Sequence, residues 1–219
     1  MAIEILKLTL GPIQTNCYIV GDTDTGSAVV IDPVDRAGLI LKTAQDQGWT
    51  IRDILATHGH FDHIMASDEL KRLTGAPFRL HRLDLPLVQL LPQATMAWLG
   101  VEGPPAAEPD GFVAEGDAIE VDAIRLEVLF TPGHAPGHVV YVLRSENTVF
   151  GGDVLFRGSI GRTDLPGGDY ETLMRSIVDK LLPLGDSMAV LPGHMDNTTI
   201  GAERATNPFI LDYLHTNAR

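Results

Sequence analysis

His58-Gly59-His60-Phe61-Asp62-His63 places three imidazoles and one carboxylate within six residues. With eight His and 19 Asp in 219 residues, chance matches to HxHxDH are expected on the order of 0.001 times in this chain. Neutral imidazole and carboxylate are good ligands for zinc and similar divalent ions. His58 and His60 can reach one ion from an irregular turn, while Asp62 and His63 can point toward a second. Asp62 also suits the cap of a helix beginning near His63, a role compatible with ligation.

Working outward, four apolar runs end alike, in a glycine followed directly by a potential ligand. They close on Gly59-His60, Gly133-His134, Gly152-Asp153 and Gly193-His194. Glycine lets the chain turn sharply and lets backbone approach a crowded centre. Several strand ends presenting His or Asp at one rim make a rigid metal site from distant parts of the chain. The candidate set is His58, His60, His63, His134, His194, Asp62 and Asp153. His138 reads as a residue behind the ligands or in the pocket, and His81 and His215 as surface or packing residues. Cys17 lies in an alternating strand with no base nearby and reads as a small buried apolar residue. No GxSxG or GxxxxGK[ST] pattern is present, so a serine nucleophile and a P-loop are unsupported.

Short apolar runs predict strands at 3–10, 15–21, 27–32, 53–57, 78–81, 118–121, 124–131, 138–144, 147–151 and 188–191. Helical spacing marks 37–47, the stretch from the His-rich loop through Leu73, 83–91, Tyr170 to Leu182, and the chain from Ile200 onward. Residues 92–116 carry four prolines and little periodicity. They read as a loop, either covering a site or packed on the surface by Trp98 and Leu99. Together these elements predict one domain over 1–219, two β-rich halves stacked sheet on sheet with helices outside.

The composition, 44% hydrophobic and 21% charged, is that of a globular protein. A net charge of −13 opposes binding to nucleic acid. The first residues lack a signal-peptide pattern, and no apolar run approaches the ~20 residues of a membrane span. A cytoplasmic protein without membrane or nucleic-acid partners is expected. A single cysteine excludes an intramolecular disulfide and a cysteine-based zinc site.

The ordered set His58-x-His60-x-Asp62-His63, His134, Asp153, His194 resembles the ligand pattern of the metallo-β-lactamase superfamily. More narrowly, the chain is similar to the short relatives of glyoxalase II (hydroxyacylglutathione hydrolase), from Asn16-Cys17-Tyr18 to the C-terminal helix. The stretches that carry this are Thr131-Pro132-Gly133-His134, the segment from Gly158 through Gly161-Arg162-Thr163-Asp164, and Thr198-Thr199-Ile200-Gly201 through Asn207-Pro208. The resemblance implies an α/β fold, an αββα sandwich of two mixed β-sheets flanked by helices, with metals at one edge. It implies that His58, His60 and His134 hold one divalent ion and Asp62, His63 and His194 a second, with Asp153 bridging. Zinc is expected, with iron or manganese as alternatives.

The implied reaction is hydrolysis of a small thioester of the S-2-hydroxyacylglutathione type. Paired ions ~3.5–4 Å apart bring the pKa of a shared water from ~16 toward ~7. The resulting hydroxide would attack the carbonyl with Asp62 orienting it, and a thiolate leaves without a strong acid. A carboxylate at 153, where metallo-β-lactamases carry cysteine or serine, tilts against antibiotic hydrolysis. Larger glyoxalase II enzymes grip glutathione with an added helical domain for which 219 residues leave no room. Arg162 is then a candidate anchor for a substrate carboxylate, or the partner of Asp164 in an ion pair. Met195, where relatives often have glycine, is expected to narrow the pocket. Two rivals share the resemblance. One is a persulfide dioxygenase with a single iron on His58, His134 and Asp153. The other is a lactonase, which wants a tyrosine near the metals, Tyr141 or Tyr170.

Overall fold

A computed structural model describes residues 2–105 and 107–217. Strands β1 (Ile3–Leu10), β2 (Thr15–Asp22), β3 (Ser27–Ile31), β4 (Thr50–Leu55), β5 (Phe78–His81) and β6 (Gly111–Val113) form a six-stranded sheet in chain order. β1 to β3 are antiparallel, and β3 to β6 run parallel. Parallel neighbours need long crossovers. These carry α1 (Ala37–Asp46), then α2 (Phe61–Ile64) and α3 (Ser67–Thr74), then α4 (Leu85–Gln89) and α5 (Leu91–Leu99).

The second sheet holds β7 (Ala118–Val121), β8 (Ile124–Phe130), β9 (Val139–Leu143) and β10 (Thr148–Gly152). A small hairpin, β11 (Leu155–Phe156) and β12 (Ser159–Ile160), leads to α6 (Tyr170–Ser176). Then come β13 (Ala189–Pro192), β14 (Thr198–Thr199), α7 (Ile200–Thr206) and α8 (Pro208–Asn217). The order across this sheet is β14-β13-β10-β9-β8-β7, with only β10 and β13 parallel.

Side-chain alternation along the strands creates the layers. In β2, Cys17 and Ile19 join the core under α1 and α3, while Tyr18 and Val20 face the other sheet. In β9, Tyr141 lies between the sheets and Val140 and Val142 pack under Leu173, Met174 and Ile177. Both faces of the central strands are covered, which is why β3 and β9 read as near-continuous apolar runs and why every residue of β2 and β10 is buried. The result is an αββα sandwich of two mixed β-sheets flanked by helices. Two buried hydroxyls tie the sheets together: Tyr18 donates to the Pro192 carbonyl at 2.7 Å and Tyr141 to the Ala56 carbonyl at 2.9 Å.

The structure departs from the sequence reading in several places. Residues 92–116 are not one loop: α5 starts with Pro92 in its first turn and stops at Gly100, whose φ of 69° is left-handed, and β6 adds an edge strand. The helix after the His-rich loop is two, α2 and α3. The stretch 83–91 divides into a 3-10 turn over Arg82–Asp84 and α4. The C-terminal helix breaks at Asn207, which adopts extended geometry before Pro208. The amphipathic helix beginning at Tyr170 finishes in a π turn over Ile177–Leu181. Asp62 does not cap α2; it sits in the first turn and accepts from the Thr15 hydroxyl at 2.9 Å.

Gly133 has φ 125°, and a Cβ there would collide with the backbone of Leu173. Gly133→Ala should therefore lower the unfolding free energy by about 2 kcal/mol or more. Urea denaturation checks this, and a loss below experimental error would remove the close approach of this loop to α6.

Candidate metal centre

The site is built from strand ends sewn to one another. The Val139 amide donates to the Thr57 carbonyl at 2.8 Å, Gly193 to Gly152 at 2.7 Å, and Asn16 to Gly193 at 2.6 Å. No side chain fits in this seam. A Cβ on Gly193 would lie 2.6 Å from His63 Cε1 and press on Asp153, and one on Gly152 would lie 2.6 Å from both His138 Nε2 and Thr57 Oγ1. The repeated glycine-before-ligand pattern thus has a steric cause.

All seven candidate ligands converge there. The ligand atoms of His58, His60 and His134 lie within 4.8 Å of one another, as do those of Asp62, His63 and His194. A third set, His58, His63 and Asp153, takes one histidine from each and joins them through a shared carboxylate. Asp153 Oδ1 is 3.5 Å from His63 Nε2, and its Oδ2 is 3.6 Å from His134 Nε2 and 3.5 Å from His194 Nε2. Asp62 Oδ2 is 3.2 Å from His194 Nε2 and 3.6 Å from His63 Nε2.

Three of the five candidate imidazoles are held by their other nitrogen. Asp32, at the end of β3, accepts from the Thr57 amide at 2.7 Å, the Thr57 hydroxyl at 2.9 Å and His63 Nδ1 at 3.0 Å. Because the Thr57 hydroxyl proton goes to Asp32, His58 Nδ1 at 3.0 Å must donate to that oxygen. His134 Nδ1 donates to the Arg162 carbonyl at 2.8 Å. These bonds make Nδ1 the donor and turn Nε2 of His58, His63 and His134 inward, where His134 Nε2 meets His60 Nδ1 at 2.9 Å. Burial opposes charge on His63, but Asp62, Asp153 and Asp32 raise it well above the ordinary imidazole range, so it must give up a proton to ligate. His138 supports from behind: it stacks on His58 at 5.0 Å, its Nε2 accepts the Asp153 amide at 3.0 Å, and Nδ1 meets Thr131 Oγ1 at 3.0 Å. Asp84, buried, accepts from the Gly59 and Gly137 amides at 2.9 and 2.5 Å and so joins the two ligand loops.

Asp32, Thr57 and Asp84 were missed in the sequence. Asp32 closes the strand read at 27–32, just before Pro33, where an acid gives no sign of partners distant in sequence. The signal for His138 was present, since Gly137-His138 repeats the glycine-before-histidine pattern, although here it opens a strand. His81 stacks on Phe130 at 4.5 Å and His215 lies on α8, both away from the cluster.

The charge distribution fits a cation. His58 Nε2, His63 Nε2 and Asp153 Oδ1 are buried without a hydrogen-bond partner. Leaving a buried polar atom unpaired costs about 1–3 kcal/mol, and a divalent ion is a partner suited to all three. Without such an ion, burial drives His58 and His138 well below the ordinary imidazole range. Burial and the adjacent His134 lower His60 to about 4. Burial also opposes charge on His194, but its hydrogen bonds to the Asp153 and Asp62 carboxylates raise it to about 9. Burial would raise the Asp153 carboxyl, yet His63 and His194 hold it well below the usual range.

A cavity of about 340 Å³ opens beside the cluster. His60, Asp62, His134, Asp153 and His194 line it together with Arg162 and apolar side chains. Arg162 lines the cavity, and its guanidinium is paired with Asp164 through bonds of 2.7 and 2.8 Å. Met195 does not narrow the cavity. It is 58% exposed and is not among the lining residues, because its backbone is left-handed at φ 67°. Its carbonyl is held by Lys7 Nζ at 3.0 Å and Asn16 Nδ2 at 3.1 Å. Neither Tyr141 nor Tyr170 lines the cavity.

A four-layer αββα sandwich with a His/Asp metal-binding cluster at its sheet edge defines a metallo-β-lactamase-fold protein. The chain belongs to the metallo-β-lactamase superfamily, whose family model matches residues 10–194. It is 39% identical over 212 residues to hydroxyacylglutathione hydrolase GloC of Haemophilus influenzae, covering 96% of this chain and 98% of that one. The B3 metallo-β-lactamase BLEG-1 superposes with a TM-score of 0.89 at 36% identity, covering 94% of this chain and 99% of that one. TTHA1623, solved in a di-iron-bound form, superposes with a TM-score of 0.85 at 41% identity, covering 93% and 99%. Among the described residues no helix is long and apolar enough to cross a membrane.

Asp32→Asn removes an acceptor that serves both His63 and Thr57, and metal affinity should fall roughly 10–100-fold. Competition with a chromophoric chelator measures it, and unchanged affinity would reduce Asp32 to a packing role. Because His194 titrates at about 9 without metal, it is protonated near neutrality and must lose that proton to ligate. Zinc titration near neutral pH should release protons, and apparent affinity should rise as pH approaches about 9. A pH-independent affinity would take His194 out of the ligand set.

Proposed function

We propose that the chain is a binuclear metallohydrolase of small thioesters, with S-2-hydroxyacylglutathione as the reference substrate. The observation that carries this reading is the inventory of titratable side chains around the cavity. Every one of them except Arg162 belongs to the candidate ligand set. Arg162 is held further in its charged form by its hydrogen bonds to Asp164. The cavity therefore supplies no spare acid, which favours a reaction whose leaving group departs unprotonated. A thiolate does so; an amine leaving from an amide needs a proton.

In this reading His58, His60 and His134 hold one ion, Asp62, His63 and His194 the other, and Asp153 is shared. Bound divalent ions supply Lewis acidity at the carbonyl and a water of lowered pKa. The chain does the rest. Asp32 and Thr57 hold His58 and His63 in the tautomer that leaves Nε2 free, and the Arg162 carbonyl does the same for His134. Asp62, fixed by Thr15 and lining the cavity, orients the attacking water. The thiolate departs toward the open mouth of the cavity.

Of the rivals, a single iron on His58, His134 and Asp153 would leave the assembled Asp62, His63 and His194 set idle. A lactonase lacks its tyrosine, since the Tyr141 hydroxyl is bonded to Ala56 between the sheets. β-Lactam hydrolysis is the second reading, favoured by the likeness to BLEG-1.

One set of measurements on one preparation separates these: metal content per chain, hydrolysis of S-lactoylglutathione, oxygen uptake with glutathione persulfide, and turnover of a chromogenic cephalosporin. Two metals with thioester hydrolysis and no oxygen uptake are expected. One iron with persulfide-dependent oxygen consumption overturns the proposal, as does cephalosporin turnover that outpaces the thioester.

A further inference from the structure

Away from the cluster, the cavity wall is made of Ile13, Phe61, Leu87, Leu90, Trp98 and Leu165. Ile13, Leu90 and Trp98 are 39, 52 and 54% exposed, a group of large apolar side chains left to water at one mouth. Trp98 is braced where it stands. Its ring lies 6.3 Å from that of Phe61 at an interplanar angle of 22°, and the Arg162 guanidinium sits 5.7 Å from its centroid.

The same wall is poor in charge to offer a ligand. Arg162 is the one lysine or arginine lining the cavity among the described residues, and Asp164 already neutralises it through two hydrogen bonds. Away from the ligand cluster, a glutathione carboxylate drawn against this wall would lose its water without gaining an unpaired cation. At about 340 Å³ the cavity stands at the small end of ligand pockets, which run about 300–1,000 Å³. The charged thiol half of a thioester is better left in solvent, which assigns the cavity to the acyl half.

We propose that this wall is a subsite for a bulky apolar acyl group, preferentially an aromatic one, and that Trp98 determines the preference. The inference rests on the thioester reading above and names the acyl class within it. An aryl group packing against Trp98 and Phe61 replaces water on rings already exposed, with the geometric preference of aromatic pairs added.

The test compares S-mandeloylglutathione with S-lactoylglutathione on the metal-loaded protein and on its Trp98→Ser and Trp98→Phe variants. These thioesters share thiol and 2-hydroxyl and differ by phenyl for methyl. The expected preference for the aryl thioester is about tenfold or more in kcat/KM, carried mainly by KM. Trp98→Ser should bring the ratio near one, and Trp98→Phe should keep most of it. Metal content and circular dichroism matching the parent establish that the variants fold.

A binding readout stands apart from turnover. Trp49 is 4% exposed and Trp98 54%, so Trp98 reports the cavity by fluorescence. Mandelate should shift that emission where lactate does not, and Trp98→Phe should abolish the response. Equal kcat/KM for the two thioesters, or a preference untouched by Trp98→Ser, overturns the subsite while leaving thioester hydrolysis intact. If neither thioester is hydrolysed, the function above fails and the mandelate response decides the subsite alone: a shift supports it and no shift overturns it.

Discussion

The carboxylate of Asp32 is buried with only 1% exposure and accepts from the Thr57 amide, the Thr57 hydroxyl and the His63 imidazole. A carboxylate removed from water costs several kcal/mol unless hydrogen bonds compensate it. Here the compensation also selects tautomers, because the proton it draws from His63 and, through Thr57, from His58 is the one that would otherwise block Nε2. Asp32 therefore orients a candidate ligand of each ion with a single charge. Its own backbone is left-handed at φ 54°, which turns the chain off β3 and into the seam.

That arrangement holds only if the two sheets keep their relative height, and buried tyrosine hydroxyls fix it. Tyr18 reaches from the first sheet to the residue before Gly193-His194. Tyr141 reaches from the second sheet to the residue before Thr57-His58. Each sheet thus grips the ligand-bearing strand end of the other. The glycines let those ends come close enough for His, Asp and backbone to share a small volume, and any larger residue in the seam would force them apart.

Much of this was legible because the constraint is local and repeated. Glycine before a ligand at strand ends reflects crowding that no other residue tolerates, and period-two alternation in β1 and near-continuous apolar runs in β3 and β9 report how many faces are covered. What stayed hidden has a physical reason in each case. In α5, Leu91 and Thr95 face the core while Ala94 and Trp98 face the cavity, so the helix has no clean polar side and its period is blurred. Asp32 and Asp84 act through three-dimensional partners distant in sequence, and nothing in their immediate neighbours distinguishes them from turn acids. Arg162 contributes its carbonyl to His134, a role no side-chain identity can announce.

The helix pair α4 and α5 occupies a crossover leading only to the short edge strand β6, whereas the candidate ligands come from the His-rich loop after β4, from the loops after β8, β10 and β13, and from α2. On the proposed acyl subsite, selectivity rests largely on a different stretch of chain from the candidate ligands. Changes to Trp98 or Leu90 would remodel what the cavity admits without moving a strand end, while changes in the seam would disturb the reactive centre whatever the substrate. Such a division lets a scaffold diversify its diet by drift along one surface crossover. It also marks residues 85–105 as the segment a protein engineer would exchange first.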